Sequence, residues 1–253
     1  MTTRIHRRTA FGELPSSGSS GFSRIDLLVT IVLATLLMIS GLGMTSREVS
    51  ARAVCHNNLR QIGIGLHRWA NDHDDHVPWF TFANEGGTKP TAGMVGSKTA
   101  APWIEILTLS NELNSPRVLA CPQDKETKVA HDFTTGQRGF ANSGMRGNAL
   151  SYSIQFDSDL GDRFRTRTVL WMDRDFKGSG ATGGLCSQAG AGTFSISTAI
   201  SAPDVWTNGL HLNSGNLLYS DGSVELTDNS HLKGSIVNGF GDLVGSAHYS
   251  PPR

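Results

Sequence analysis

The chain has 253 residues, with 22 Lys+Arg against 22 Asp+Glu and a formal net charge of zero, which excludes the cationic surface of a non-specific nucleic-acid binder. Charged residues make up only 17% and apolar ones 38%, with 29 glycines, a balance that points away from disorder and towards a β- and loop-rich globule. Three cysteines, Cys55, Cys121 and Cys186, are too few for a disulfide-dense scaffold and leave one unpaired within a monomer.

Residues 1–21 are polar, with Arg4, Arg7 and Arg8 followed by a Gly/Ser-rich run that ends at Gly21. From Leu27 to Ser46 the chain then runs for twenty residues without a charge or a proline. As a helix this stretch spans about 30 Å, the thickness of a bilayer's hydrocarbon core. Its apolar side chains lie all around the helix, and nothing else in the chain is hydrophobic enough to wrap it, so a membrane span is expected rather than a buried core helix. An ordinary secretory signal would be cut near Ser40-Gly41-Leu42-Gly43, after the apolar run. A twin-arginine signal fits poorly, because the residues after Arg7-Arg8 are out of register.

The junction itself reads Gly21-Phe22-Ser23-Arg24-Ile25-Asp26-Leu27-Leu28-Val29. It resembles the cleavage and methylation signal of type IV prepilins and type II secretion pseudopilins. The resemblance implies that a membrane peptidase cuts after Gly21 on the cytoplasmic side and methylates the new amine of Phe22. The apolar helix then stays in the mature protein. Two residues depart from the pattern: the fifth mature residue is Asp26 where the family has Glu, and the third is Arg24 where an uncharged residue is usual. Asp26 would lie one helical turn from the Phe22 amine and near the positive end of the helix dipole. It is therefore a candidate to neutralise its own amine or a neighbouring subunit's during assembly.

Four arginines precede the span (Arg4, Arg7, Arg8, Arg24) and three follow it (Arg47, Arg52, Arg60), a slight bias towards a cytoplasmic N-terminus. Beyond the span, Cys55, Leu59, Ile62, Leu66 and Trp69 recur at spacings of 4, 3, 4 and 3, one apolar stripe at helical period. The helix is expected to end in Asn71–His76, before Pro78. His73, His76 and the aspartates between them invite a metal reading. The stretch has neither the converging N/S ligands of zinc nor the turn glycine of a calcium loop, so a solvated helix end is the expectation.

After Pro78 the sequence reads as strands and loops. Residues 84–100 form a Gly/Thr/Lys loop, Trp103–Leu113 a short helix, and Ser115–Pro122 an extended piece. Candidate strands are Leu150–Phe156, Thr168–Met172, Phe194–Thr198, Leu217–Tyr219 and Val224–Thr227. The last two flank Ser220-Asp221-Gly222-Ser223, and Asp-Gly between β-prone runs is a strong hairpin signal.

His211, nine intervening residues and Asp221-Gly222 resemble the C-terminal signature of a large bacterial group of prepilin-type proteins. That group also tends to carry a Cys followed by Asn-Leu after the helix, as at Cys55 and Asn58-Leu59, and a Cys-Pro in the head, as at Cys121-Pro122. His211 and Asp221 are read either as a base with an orienting acid or as metal ligands, or, preferably, as a hairpin turn with a neighbouring hydrogen-bonded histidine. No Gly-x-Ser-x-Gly accompanies them. Gly178-x-Gly180-x-x-Gly183 matches a dinucleotide fingerprint, but the residues after it make a poor helix. Asp157-x-Asp159-x-Gly161-Asp162 resembles the start of a calcium loop with residues 161 and 162 wrong for one. Calcium in the heads of related major pseudopilins leaves that point open.

Cys55 lies on the apolar stripe and Cys121 follows an apolar piece, so the two are candidates for a disulfide that staples helix to head. The alternative is a pair of buried free thiols, and Cys186 is the candidate for the unpaired one.

The expected fold class is α+β and pilin-like: a long N-terminal helix, transmembrane in its first half and amphipathic in its second, packed on an antiparallel β-rich head. The expected parts are a cytoplasmic leader (1–21), the helix (22–75) and an outward-facing head (76–253). The expected function is a structural, non-enzymatic subunit of a pilus- or pseudopilus-like assembly, without cofactor or metal. Its partners would be a prepilin peptidase, other prepilin-like subunits and membrane lipid, but no nucleic acid. It would be a single-pass protein of the inner membrane with its N-terminus in the cytoplasm. The alternative is a membrane-anchored surface-binding protein that does not polymerise.

Overall fold

The computed structural model describes residues 23–89, 102–156, 158–161, 167–177, 194–197, 205–232, 234–235 and 246–250, with side chains for all of these except 39–47, 194–197 and 246–250. The chain divides into two compact units, Met1–Ser46 and Arg47–Arg253. Gly21, Phe22, Cys186, Asp157, Asp162 and the 178–183 glycine run lie outside the described residues.

The first element is α1 (Arg24–Asn71). Its start is closed by side chains: Asp26 Oδ2 accepts from the Ser23 backbone N–H at 3.1 Å, and Ser23 Oγ accepts from the Ile25 N–H at 3.3 Å. A carboxylate on the first turn also complements the helix dipole. Thr30 and Thr35 donate their hydroxyls back to Leu27 O and Val32 O at 2.9 Å, which satisfies them among apolar neighbours.

The expected pilin-like fold with a transmembrane first half needs correction. Among the described residues no helix is long and apolar enough to cross a membrane. The apolar start of α1 opens on two charged residues, which a span would have to bring towards the hydrocarbon. Arg24 and Asp26 sit in its first turn, and Asp26 is committed to the helix cap.

In the second unit, Cys55, Leu59, Ile62, Leu66 and Trp69 of α1 are buried in the main core. The helix ends where Asp74 and Asp75 take positive φ angles of 54° and 62°. His73 stacks on Trp69 with ring centroids 3.7 Å apart. The next segment is tied down by Asp159, whose Oδ1 accepts from Val77 N at 3.0 Å and Leu160 N at 2.8 Å while its Oδ2 pairs with His76 Nδ1. Both Asp159 oxygens are thus committed within the protein.

Trp103–Leu113 forms two helices, α2 (Pro102–Thr108) and α3 (Ser110–Leu113), with a break at Leu109. The expected extended piece at 115–122 instead holds a 3₁₀ helix, Pro116–Leu119. The physical reason is local: Ser115 accepts from the Arg117 N–H and Pro116 presets the first φ.

Among the described residues eight strands follow: β1 (Tyr152–Gln155), β2 (Val169–Asp173), β3 (Phe176–Lys177), β4 (Phe194–Ser197), β5 (Val205–Trp206), β6 (Ser214–Tyr219), β7 (Val224–Asp228) and β8 (Ser246–Ser250). Six form one sheet in the order β4-β8-β1-β2-β6-β7, and β3 pairs with β5 separately. Every pairing among these strands is antiparallel. One sheet face joins the α1 stripe through Tyr152, Ile154, Trp171 and Leu218. The other carries a second cluster of Val169, Met172, Phe176, Trp206, Leu217, Tyr219 and Leu232.

Candidate functional site

The motif residues of the head part company. Asp221 and Gly222 make the β6–β7 turn: Asp221 Oδ1 accepts from Ser223 N at 2.8 Å and from its hydroxyl at 2.5 Å, and Gly222 takes φ +78°. That left-handed conformation suits a residue without a Cβ. Arg167 reaches Asp221 at 3.7 Å and Glu225 at 3.0 Å from the surface side. His211 precedes β6, so a six-residue strand, about 20 Å at 3.3 Å per residue, separates it from the turn. The two do not form a catalytic pair.

What surrounds His211 is a buried polar cluster built from four segments. Cys55 of α1 is disulfide-bonded to Cys121, which follows the 3₁₀ helix, across 66 positions of sequence. Both are buried, as is His211. His211 Nδ1 lies 2.5 Å from Gln123 Oε1, so Nδ1–H donates to the amide oxygen and Nε2 carries the lone pair. Nε2 lies 3.7 Å from Cys121 Sγ and 3.4 Å from Asp173 Oδ2. Asp173 ends β2, and its Oδ2 accepts from both Asn216 N at 2.7 Å and Asn216 Nδ2 at 2.8 Å, while its Oδ1 is buried without a partner. Arg52 Nη2 donates to the His211 carbonyl at 3.2 Å.

The electrostatics of this pair are set by desolvation. Burial pushes the Asp173 carboxyl up to about 7, against the opposing bonds from Asn216 and helped by the nearby acids Asp175 and Asp124. Burial and the Arg52 charge bring His211 down to about 4, against the opposing pull of Asp175. Between those limits both are neutral, which is how a buried acid and imidazole avoid an uncompensated charge.

A second network supports the first. Ser151 Oγ accepts from Cys121 N at 2.9 Å and donates to Asp124 Oδ2 at 2.8 Å. Asp124 also accepts from Thr127 Oγ1 at 2.5 Å and from Arg174 Nη2 at 2.5 Å. Asn58 donates its side-chain amide to Ala120 O at 3.1 Å, fixing the chain just before Cys121.

Sequence reasoning singled out Cys55, Cys121 and His211 but missed Asp173, Gln123, Asn216 and Arg52. Asp173 offered one faint signal, a carboxylate closing the otherwise apolar run Val169–Met172. Gln123 and Asn216 offered none, since an amide two residues from a cysteine or inside a strand reads as ordinary surface.

A separate cleft of about 360 Å³ is lined by His67, Ala70, Asn71, Asp74, Asp75, His76, Leu160 and Gly161. His76 is held there by Asp159. The only metal-competent group of three or more His, Cys, Asp or Glu among the described residues is Cys55, Cys121 and His211.

No family model, curated protein or solved structure matches the chain.

Proposed function

We propose that the chain is a structural subunit of an assembly resembling type IV pili or type II secretion pseudopili. It is cut after Gly21 by a prepilin peptidase and packs through the start of α1 against the same helix of neighbouring subunits. One observation carries this reading. Ile25, Leu28, Val29, Ile31, Val32 and Met38 of α1 are each at least half exposed, from 50% at Ile31 to 71% at Met38. With Leu27, Leu33 and Leu37, each also more than half exposed, these side chains surround the helix, and a helix that is apolar all round is stable in water only when other apolar surface covers it. Copies of the same helix, stacked side by side, supply such a surface.

The cap geometry supports the same reading. Asp26 closes the first turn on the Ser23 N–H, one residue along the chain from the amine that cleavage after Gly21 would create. In a helical stack that pairing can be made within a chain or between chains.

The test has two readouts on the full chain coexpressed with a prepilin peptidase. Mass spectrometry should find a mature N-terminus at Phe22, N-methylated. A photo-crosslinking residue at position 31 should join copies into a ladder of multimers. Recovery of an intact Met1 leader, together with crosslinks that stay within the monomer, would overturn the reading.

A further inference from the structure

The disulfide, the imidazole and the aspartate lie at spacings that a disulfide alone does not need. We propose that, once the Cys55–Cys121 bond is reduced, the two thiolates and His211 Nε2 bind a zinc ion, with Asp173 Oδ2, 3.4 Å from that nitrogen, as the fourth donor. Disulfide and metal are then alternative occupants of one buried position.

Zinc bound tetrahedrally, with Zn–S near 2.3 Å and Zn–N near 2.0–2.1 Å, sets a sulfur–nitrogen edge of about 3.6 Å and a nitrogen–oxygen edge of about 3.3 Å. The corresponding distances here are 3.7 Å from Cys121 Sγ to Nε2 and 3.4 Å from Nε2 to Asp173 Oδ2. The ligand atoms of Cys55, Cys121 and His211 all lie within 4.8 Å of one another. The sulfur–sulfur edge must open to about 3.8 Å, which breaking the covalent bond permits, and the freed Cys55 sulfur, within 4.8 Å of the other ligand atoms, must settle at the sulfur–nitrogen edge.

The surroundings match those of a metal ligand. A zinc-bound histidine ordinarily donates its other ring N–H to an oxygen, which fixes tautomer and orientation; Gln123 Oε1 receives it here at 2.5 Å. Asp173 is aimed by Asn216 through two bonds and keeps a second, buried oxygen without a partner. Two thiolates and one carboxylate around a divalent cation leave one negative charge. Arg52 stands next to it, bonded to the His211 carbonyl and with its Nε buried and unpartnered. Soft sulfur with imidazole selects zinc over magnesium or calcium.

The step balances. A dithiol reductant delivers two electrons and two protons to the Cys55–Cys121 bond and leaves as its own disulfide, giving two thiols. Zinc binding then releases those two protons to solvent, together with the Asp173 proton wherever that carboxyl is still protonated. Reoxidation reverses both and expels the metal.

The proposal is tested on the full chain carrying Cys186→Ser, so that only Cys55 and Cys121 supply sulfur. Reduced anaerobically with a phosphine and titrated with zinc against a chromophoric chelator, it should bind one zinc per chain. The oxidised chain should bind at least about a hundredfold more weakly. Cobalt(II) in place of zinc should give the absorption of a thiolate–cobalt charge transfer, and this band should vanish in His211→Ala or shift to a different coordination. Should His211→Ala fail to fold, Gln123→Ala serves instead, with zinc bound about tenfold more weakly and the fold retained. If the reduced chain loses structure, zinc should restore its circular dichroism. Equal zinc affinity in the two redox states, a cobalt complex without a thiolate band, or a reduced chain that zinc does not refold would each overturn the proposal.

Discussion

Asp124 shows how much one carboxylate organises. Burial pushes its pKa up, but hydrogen bonds from Thr127 and Ser151 and the Arg174 guanidinium outweigh that and hold it below the usual carboxylate range. A depressed folded pKa contributes stability that is fully present above the unfolded value near 4 and is lost as pH falls through the folded one. Asp124→Asn should therefore flatten the acid side of the stability curve, read by urea unfolding at pH values stepped down from about 5. An unchanged slope below pH ~4 would show that the carboxylate is not titrating with folding. Removing its partner is harsher: Arg174→Ala leaves a buried carboxylate unpaired and should cost about 3 kcal/mol near neutral pH, since Arg174's other contact, Glu126, is largely exposed. None of this was legible in the sequence. Cys-Pro and His–nine-residue–Asp-Gly drew the eye to Cys121 and His211, but Asp124, Asp173 and Gln123 are ordinary polar residues until folding brings four distant segments together. Spacing patterns report neighbours along one element, and a site assembled across elements has no period to read.

Elements with a strong local code were the legible ones. The 4-3-4-3 spacing from Cys55 to Trp69 is a helical stripe, and those five side chains are all in the core. The β6–β7 hairpin was marked by Asp221-Gly222, which makes the turn between β6 and β7. Where two codes competed, the reading failed: Pro116 suits both an extended piece and a helix start, and the Ser115 cap decides for the 3₁₀ helix. The two-residue strands β3 and β5 had too short a run to show alternation. Their pairing matters nonetheless, because it holds Trp206 against Gly215 of β6. A Cβ on Gly215 would meet Trp206 ring atoms at 2.6 Å, and the indole is fixed by Nε1 donating to Thr227 Oγ1 at 3.0 Å. Gly215→Ala should therefore destabilise by about 1–3 kcal/mol as an overpacked site. The thermal midpoint should fall by about 2–4 °C per kcal/mol, with a change in tryptophan fluorescence. A midpoint equal to wild type would mean the indole can step aside.

At the scale of the molecule, the two units answer to different pressures. The Cys55–Cys121 bond closes a loop of 66 positions, worth about 4 kcal/mol in the chain-entropy model. The double variant Cys55→Ser/Cys121→Ser should lose about that much in denaturant, measured with a chelator present, and a loss under 1 kcal/mol would show that burial alone holds the segment. The first unit responds to solvent instead. Val32→Asp and Leu28→Asp should abolish the crosslinked ladder while leaving the thermal midpoint of residues 47–253 unchanged, because neither position belongs to that core. Strand order has a consequence in time. β8 (Ser246–Ser250) lies between β4 and β1, pairing with both, so the last of the described strands to be synthesised sits inside the sheet rather than at its edge. A chain emerging from its N-terminus can pair β1 with β2 and β6 with β7 early, but β1 keeps an open flank and β4 waits unjoined until residue 250 exists. During that interval the nascent head exposes unpaired strand edge to any neighbour. Its vulnerability to mispairing therefore lasts until β8 has been made.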